Sequence, residues 1–195
     1  LQHGVTWDPL SLLFFYSSSL KKKFLIGNVL TSLLTAWVIL VITYCETNHL
    51  LDVFRKGTSL QIDKLSRVTF LFAGFAFIIS LIREVVKDME DIEGDEKFGC
   101  KTLPIVWGLM PTKVYVAVWL MVVVITLAII QLYVLPFGWW PSVLYCLVFI
   151  LAPLTWVLIK LPKSFTSNDF TALSFWIKVA MLAGILSMSF FYFLF

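Results

Sequence analysis

Apolar residues in this chain come as long charge-free runs, not at the two-residue alternation of a half-buried strand. Such runs predict helices surrounded by apolar material and argue against an outer-membrane barrel. Five of them approach the roughly 20 residues that a helix needs to cross about 30 Å of hydrocarbon. They predict spans near 24–44, 66–83, 114–135, 141–160 and 170–195, the last holding one charge, Lys178. The charge-free centre of the second, Val68 to Ile82, is short and is expected to borrow a turn from its flanks. Ahead of them, the apolar stretch 9–16 (PLSLLFFY) is about half a span and reads as the last turns of a helix that begins before Leu1. The expected fold is all-α, a polytopic transmembrane helix bundle forming a single membrane domain over 1–195.

Composition agrees: 60% of the residues are hydrophobic and 14% charged, more apolar surface than one water-soluble core can bury. A net charge of +3, with its lysines scattered among apolar runs, offers no broad basic surface for a nucleic acid backbone. Cys45, Cys100 and Cys146 are too far apart in sequence for a zinc knuckle or a redox pair. His3 and His49 are lone residues in flanking segments and read as surface residues.

Five crossings put Lys21 to Lys23, Arg83 to Lys113 and Lys160 to Lys163 on one side, with ten of the fifteen basic residues, against four on the other. The positive-inside rule then places the first side in the cytoplasm and predicts an integral protein of the cell inner membrane. On the opposite side, a tight Leu135 to Pro141 turn carries Trp139 and Trp140 at headgroup level. The longer loop from Glu46 to Arg67 has room for a short interfacial helix around Leu50 to Phe54.

The candidate chemistry lies in the segment 83–104. Seven of the twelve acidic residues, Glu84, Asp88, Glu90, Asp91, Glu93, Asp95 and Glu96, crowd into thirteen positions directly after the second span. A helix continuing past Ile82 would carry Glu84, Asp88, Asp91 and Asp95 at i, i+4, i+7 and i+11, on one face within about 60°. Stacked carboxylates repel unless a cation sits among them, and oxygen ligands without nearby His or Cys favour Mg²⁺ or Mn²⁺. Such cations are usually shared with substrate phosphates, for which the interleaved Arg83, Lys87, Lys97 and Lys101 supply further positive charge. Gly94 marks a point where the helix is liable to end, which would take Asp95 off the shared face.

Three other readings compete. The acids are a solvated loop, the default for a charge run. They are a calcium hand, which fails on register: loops started at Asp88 or Asp91 place Glu93 or Glu96 where Gly is needed and Gly99 or Thr102 where Glu is needed. They are the vestibule of a cation transporter or channel half, which fits poorly because transport sites place polar groups near the midplane whereas these acids sit at one mouth.

The run from Arg83 to Pro104, REVVKDMEDIEGDEKFGCKTLP, resembles the second aspartate-rich motif of the UbiA superfamily of intramembrane prenyltransferases, followed as there by three final spans. Tyr16-Ser-Ser-Ser-Leu-Lys21 with Leu25-Ile-Gly-Asn28 is similar to a second segment of that family. The resemblance implies a nine-helix bundle, with about five and a half helices in this chain, in which two such motifs face each other and share Mg²⁺ around a polyprenyl diphosphate. The first motif has no counterpart before Tyr16, where Asp8 is the sole acid, so the chain is expected to be the C-terminal part of such an enzyme and inactive alone. The resemblance casts Asp88, Asp91 and Asp95 as catalytic metal ligands with Glu84 beside them. Lys21, Lys87, Tyr16, Asn28 and Lys101 become substrate contacts, and Arg83 supports the carboxylates. The expected reaction is transfer of a polyprenyl group from an allylic diphosphate to a lipid-soluble acceptor. The wording is most similar to the branch that prenylates geranylgeranylglyceryl phosphate, with quinone precursors as the other acceptors. An inactive membrane scaffold is the remaining alternative.

Overall fold

The computed structural model describes residues 25–53, 59–138 and 140–188. Its helices are α1 (Ile26–Val53), α2 (Ser59–Glu90), α3 (Ile92–Lys97), α4 (Leu103–Trp107), α5 (Leu109–Val134), α6 (Trp140–Cys146), α7 (Ala152–Lys160) and α8 (Ser167–Ser187). Among the described residues there is no strand. Five candidate spans, Ile26–Cys45, Ser66–Glu90, Leu109–Val134, Trp140–Lys163 and Ser167–Ser187, are long and apolar enough to cross a bilayer. The protein is an integral membrane protein built as a helical bundle.

Its packed centre is formed by α2, α5, α7 and α8. On α2, Ile82, Val85, Val86 and Met89 recur at i, i+3, i+4 and i+7 and are fully buried against Val116, Leu120, Leu154, Val157, Phe170, Leu173 and Ile177. The opposite flank of α2 carries Arg83, Glu84, Lys87 and Asp88, none of them buried. One helix thus turns an apolar face to the core and a charged face to an opening. The small residues Ser32 and Ala36 are the buried positions of α1 among those described, and they let it lie close to α2.

Two expectations from sequence are corrected, and the fourth span, found as expected, carries a local irregularity. Residues 46–53 continue α1, so the described part of the expected interfacial helix, Leu50 to Val53, belongs to α1; Phe54 lies outside the described residues. The fourth span is one helix by path but not by hydrogen bonding: α6 and α7 are joined by a π-turn at Leu147–Leu151, where the Ala152 N–H reaches back to the Leu147 carbonyl. Pro153 follows immediately and has no N–H to give, so the wider turn absorbs the interruption. Finally, the acidic helix breaks at Asp91, three residues before the glycine that was expected to end it.

Beyond that break, Gly99 adopts φ +66°, and the N–H groups of Cys100 and Gly99 bond to the carbonyls of Asp95 (2.9 Å) and Glu96 (3.2 Å). This is the Schellman closure, which requires a residue free of a Cβ at the left-handed position. It turns the chain into the short α4 and back into α5. Lys113, near the start of α5, is buried with its Nζ 3.6 Å from the Phe165 ring centroid and 3.5 Å from the Pro162 carbonyl oxygen. That contact fixes the corner from which α8 departs. α8 begins at Ser167, ahead of the apolar run, because Thr166 and Asp169 form a reciprocal capping box, with the Asp169 N–H 3.3 Å from Thr166 Oγ1.

A carboxylate-rich mouth at the end of α2

The last two turns of α2, the bend at Asp91 and α3 present the acids at one end of the bundle. The N-terminus of α1, the N-terminus of α5 and the start of α8 meet there. Asp88 is partly buried, and its Oδ2 accepts a 2.6 Å hydrogen bond from Asn28 Nδ2 on α1. The two sequence segments that were singled out separately therefore meet side chain to side chain. The bond engages one oxygen of Asp88 and fixes the plane of its carboxylate.

Arg83 Nη1 lies 2.6 Å from Glu84 Oε1, an ion pair with both side chains partly exposed. Asp91 is exposed at the bend, with φ −98° and ψ 13°. Its N–H still bonds to the Lys87 carbonyl at 3.0 Å, and its own carbonyl accepts from Asp95 at 2.9 Å. The register is therefore bent at Asp91 and kept on either side, and Asp95 follows on α3. Lys87 and Lys101 are exposed beside the acids. Tyr16 and Lys21 lie outside the described residues.

Among the described residues, no three carboxylate, imidazole or thiolate side chains converge on one point as a ready-made metal cage. The donors are carboxylate and amide oxygens spread along about three turns. Such a set suits a hard cation that keeps part of its water shell and takes only one or two carboxylates from any one motif. It does not suit zinc or a fully protein-bound calcium ion.

Sequence reasoning did not single out Glu90 for a role. Its side chain points to α8: Thr171 Oγ1 donates to Glu90 Oε1 at 2.8 Å, and Ser167 Oγ donates to the Glu90 carbonyl at 3.0 Å. These two bonds clamp the start of α8 to the residue just before the bend. The acid was visible in the sequence, but its partners are about 80 positions away, where no local pattern points to it.

The model of the UbiA prenyltransferase family matches residues 9–182. Curated relatives include the digeranylgeranylglyceryl phosphate synthase of Methanosphaera stadtmanae, 32% identical over 146 residues, which are 75% of this chain and 46% of the relative. The protein of the same name from Methanothermobacter thermautotrophicus is 33% identical over 115 residues, 59% of this chain and 35% of the relative. That from Methanopyrus kandleri is 37% identical over 97 residues, 50% of this chain and 30% of the relative. The chain thus spans less than half the length of these relatives. No solved structure matches. With the family model covering most of the chain, the five spans and the acidic mouth fall into place: this chain belongs to the UbiA prenyltransferase family.

Proposed function

We propose that the protein to which this chain belongs transfers a polyprenyl group from an allylic diphosphate to a lipid-soluble acceptor with Mg²⁺, and that this chain supplies one wall of the site. The acceptor ranked first is geranylgeranylglyceryl phosphate, because the relatives share that product class in their names. The observation that carries the reading is the Asn28–Asp88 bond, which places an oriented carboxylate at the open end of a membrane span.

In this reading Asp88, Asp91 and Asp95 would hold the metal, with Glu84 beside them and Arg83 fixing Glu84. Mn²⁺ would serve in its place. Mg²⁺, when bound, offsets the negative charge that builds up on the departing diphosphate. Lys87 and Lys101, with Tyr16 and Lys21, orient the diphosphate oxygens. The allylic carbon–oxygen bond then breaks at a fixed place, its electron pair leaving with the diphosphate, and the acceptor hydroxyl oxygen bonds to the freed carbon while its proton passes to water or to the released diphosphate. The spans keep the isoprenoid tail in an apolar surrounding. The acidic mouth faces the cytoplasm of the inner membrane, where soluble diphosphate products are released.

The test is prenyl transfer by the full-length protein in liposomes, with geranylgeranyl diphosphate, with geranylgeranylglyceryl phosphate or a quinone precursor, and with Mg²⁺ or a chelator. Transfer to the glyceryl phosphate that stops on chelation is the expected result. Transfer to the quinone precursor alone would overturn the acceptor, and chelator-resistant transfer would overturn the metal.

A further inference from the structure

α8 is an apolar helix interrupted by a polar stripe. Ser167, Thr171, Ser174 and Lys178 recur at i, i+4, i+7 and i+11, the same spacing as the acids of α2, so they share one face. The top of that face is fixed by contacts, since Ser167 and Thr171 both bond to Glu90 of α2. Ser174, a turn further in, is buried. Lys178 comes next and is exposed, while Leu173, Ile177 and Ala180 fill the core on the adjoining face.

Lys178 stands eleven residues beyond Ser167, about 16 Å along the helix and close to half the roughly 30 Å hydrocarbon thickness. A lysine there is too deep for its stem to carry the ammonium fully into the headgroups, and a charge at this depth needs an anion. Arg83 is engaged by Glu84, Lys113 by the Phe165 ring and Lys160 by the Trp156 ring, while Lys87 and Lys101 are exposed further out, at the mouth. Lys178 has no hydrogen-bond or ion-pair partner among the described residues. It lies seven residues, about 10 Å, inside the Thr171–Glu90 contact, and Glu84 lies six residues, about 9 Å, inside Glu90 on the antiparallel α2. The lysine and the innermost acid are therefore at one depth on neighbouring helices.

From this placement we infer that Lys178 is the cationic half of a second anion subsite, which binds the phosphate of a phosphorylated lipid acceptor inside the membrane. The inference rests on the prenyltransferase reading and goes beyond it, because it separates recognition of the two substrates. The diphosphate belongs at the acidic mouth, where metal ions mask the carboxylates. An acceptor phosphate brings its own negative charge, which the same acids would repel. A lysine two turns inside the Glu90–Thr171 contact, level with Glu84, whose charge Arg83 already offsets, gives that phosphate a place and leaves the acceptor hydroxyl facing the mouth.

The experiment uses the full-length protein in liposomes, with Lys178→Gln and Lys178→Arg, and measures KM for each substrate, turnover and thermal unfolding. A phosphate-free glyceryl ether serves as the control acceptor. The expected result for Lys178→Gln is a rise of about 10- to 100-fold in KM for the phosphorylated acceptor. KM for the allylic diphosphate, the midpoint of unfolding and the slow reaction of the phosphate-free ether stay unchanged, and Lys178→Arg recovers most of the affinity. An equal loss with both acceptors, a rise confined to the diphosphate, or a drop in unfolding temperature without a change in acceptor KM would each overturn the subsite. If the unaltered protein transfers prenyl groups and Lys178→Gln behaves like it, the subsite falls and the prenyltransferase reading stands. If the unaltered protein transfers to no acceptor, both fall.

Discussion

The two flanks of α2 are held by different physics. Toward α5, α7 and α8, it buries Val85, Val86 and Met89 almost completely, and the contacts are close-packed and apolar. Toward α1, the contact is equally close but is made by small and polar residues: Ser32, Ala36, Thr69 and Ala73 are buried, Asn28 bonds to Asp88, and Thr69 Oγ1 lies 3.4 Å from Thr43 Oγ1. Since lipid tails are as apolar as the core, burial alone does not drive helices together in a bilayer, and packing density and interhelical hydrogen bonds decide instead. The apolar flank fixes where α2 stands. The flank of small and polar residues ends in carboxylates that stay open to water and ligands. The site proposed to admit a diphosphate has both on one helix.

Substitutions that separate the flanks should give different signatures, all in the full-length protein. The largest effect is expected from Asp91→Ala, at the exposed bend. Turnover should fall by orders of magnitude while thermal unfolding is unchanged, since the substitution removes a proposed ligand and no packed group. Near-normal turnover would remove Asp91 from the site. On the apolar flank, Leu154→Ala should cost about 2–5 kcal/mol of stability, because the side chain is fully buried and the cavity cannot be filled by lipid. Unfolding in mild detergent would measure it, and a cost near zero would mean that the core is looser than drawn.

Asn28→Ala should raise the Mg²⁺ concentration for half-maximal rate by about 10-fold or more, the usual penalty for losing a partner that orients a ligand. Manganese binding followed by its electron paramagnetic signal gives a readout independent of turnover. An unchanged affinity would make the Asn28–Asp88 bond a helix contact only. The smallest effect belongs to the clamp. Glu90→Ala should cost about 1 kcal/mol of stability and slightly weaken metal binding, whereas Glu90→Gln keeps an acceptor for Thr171 and should restore both. Equal behaviour of the two variants would show that the carboxylate itself, not the hydrogen bond, matters.

Much of this was readable in order along the chain. Charge-free runs of 15 residues or more have few fates other than a bilayer span, so the helical membrane fold followed from Phe24 to Tyr44 and its successors. Seven acids in thirteen positions at a span end marked the mouth, because clustered carboxylates repel without a cation. Reading their face as one straight helix did not survive. The bend falls at Asp91, beside a residue clamped to α8, and not at the helix-weakening Gly94. The π-turn before Pro153 was missed for a related reason: a proline inside an apolar run shows that a hydrogen bond is lost but not how the backbone repairs it.

What the sequence determined by itself is therefore what depends on short range and on solvent: which segments prefer lipid, where charge accumulates, where glycine and capping pairs close a helix. Tertiary structure decided which acid bonds to which helix. Asn28 and Asp88 are 60 residues apart, and Glu90 and Thr171 are 81 apart. Hydrogen bonds act over about 3 Å and leave no periodicity in the chain, so these pairs become legible when the packed flank of α2 sets the height and rotation of its neighbours.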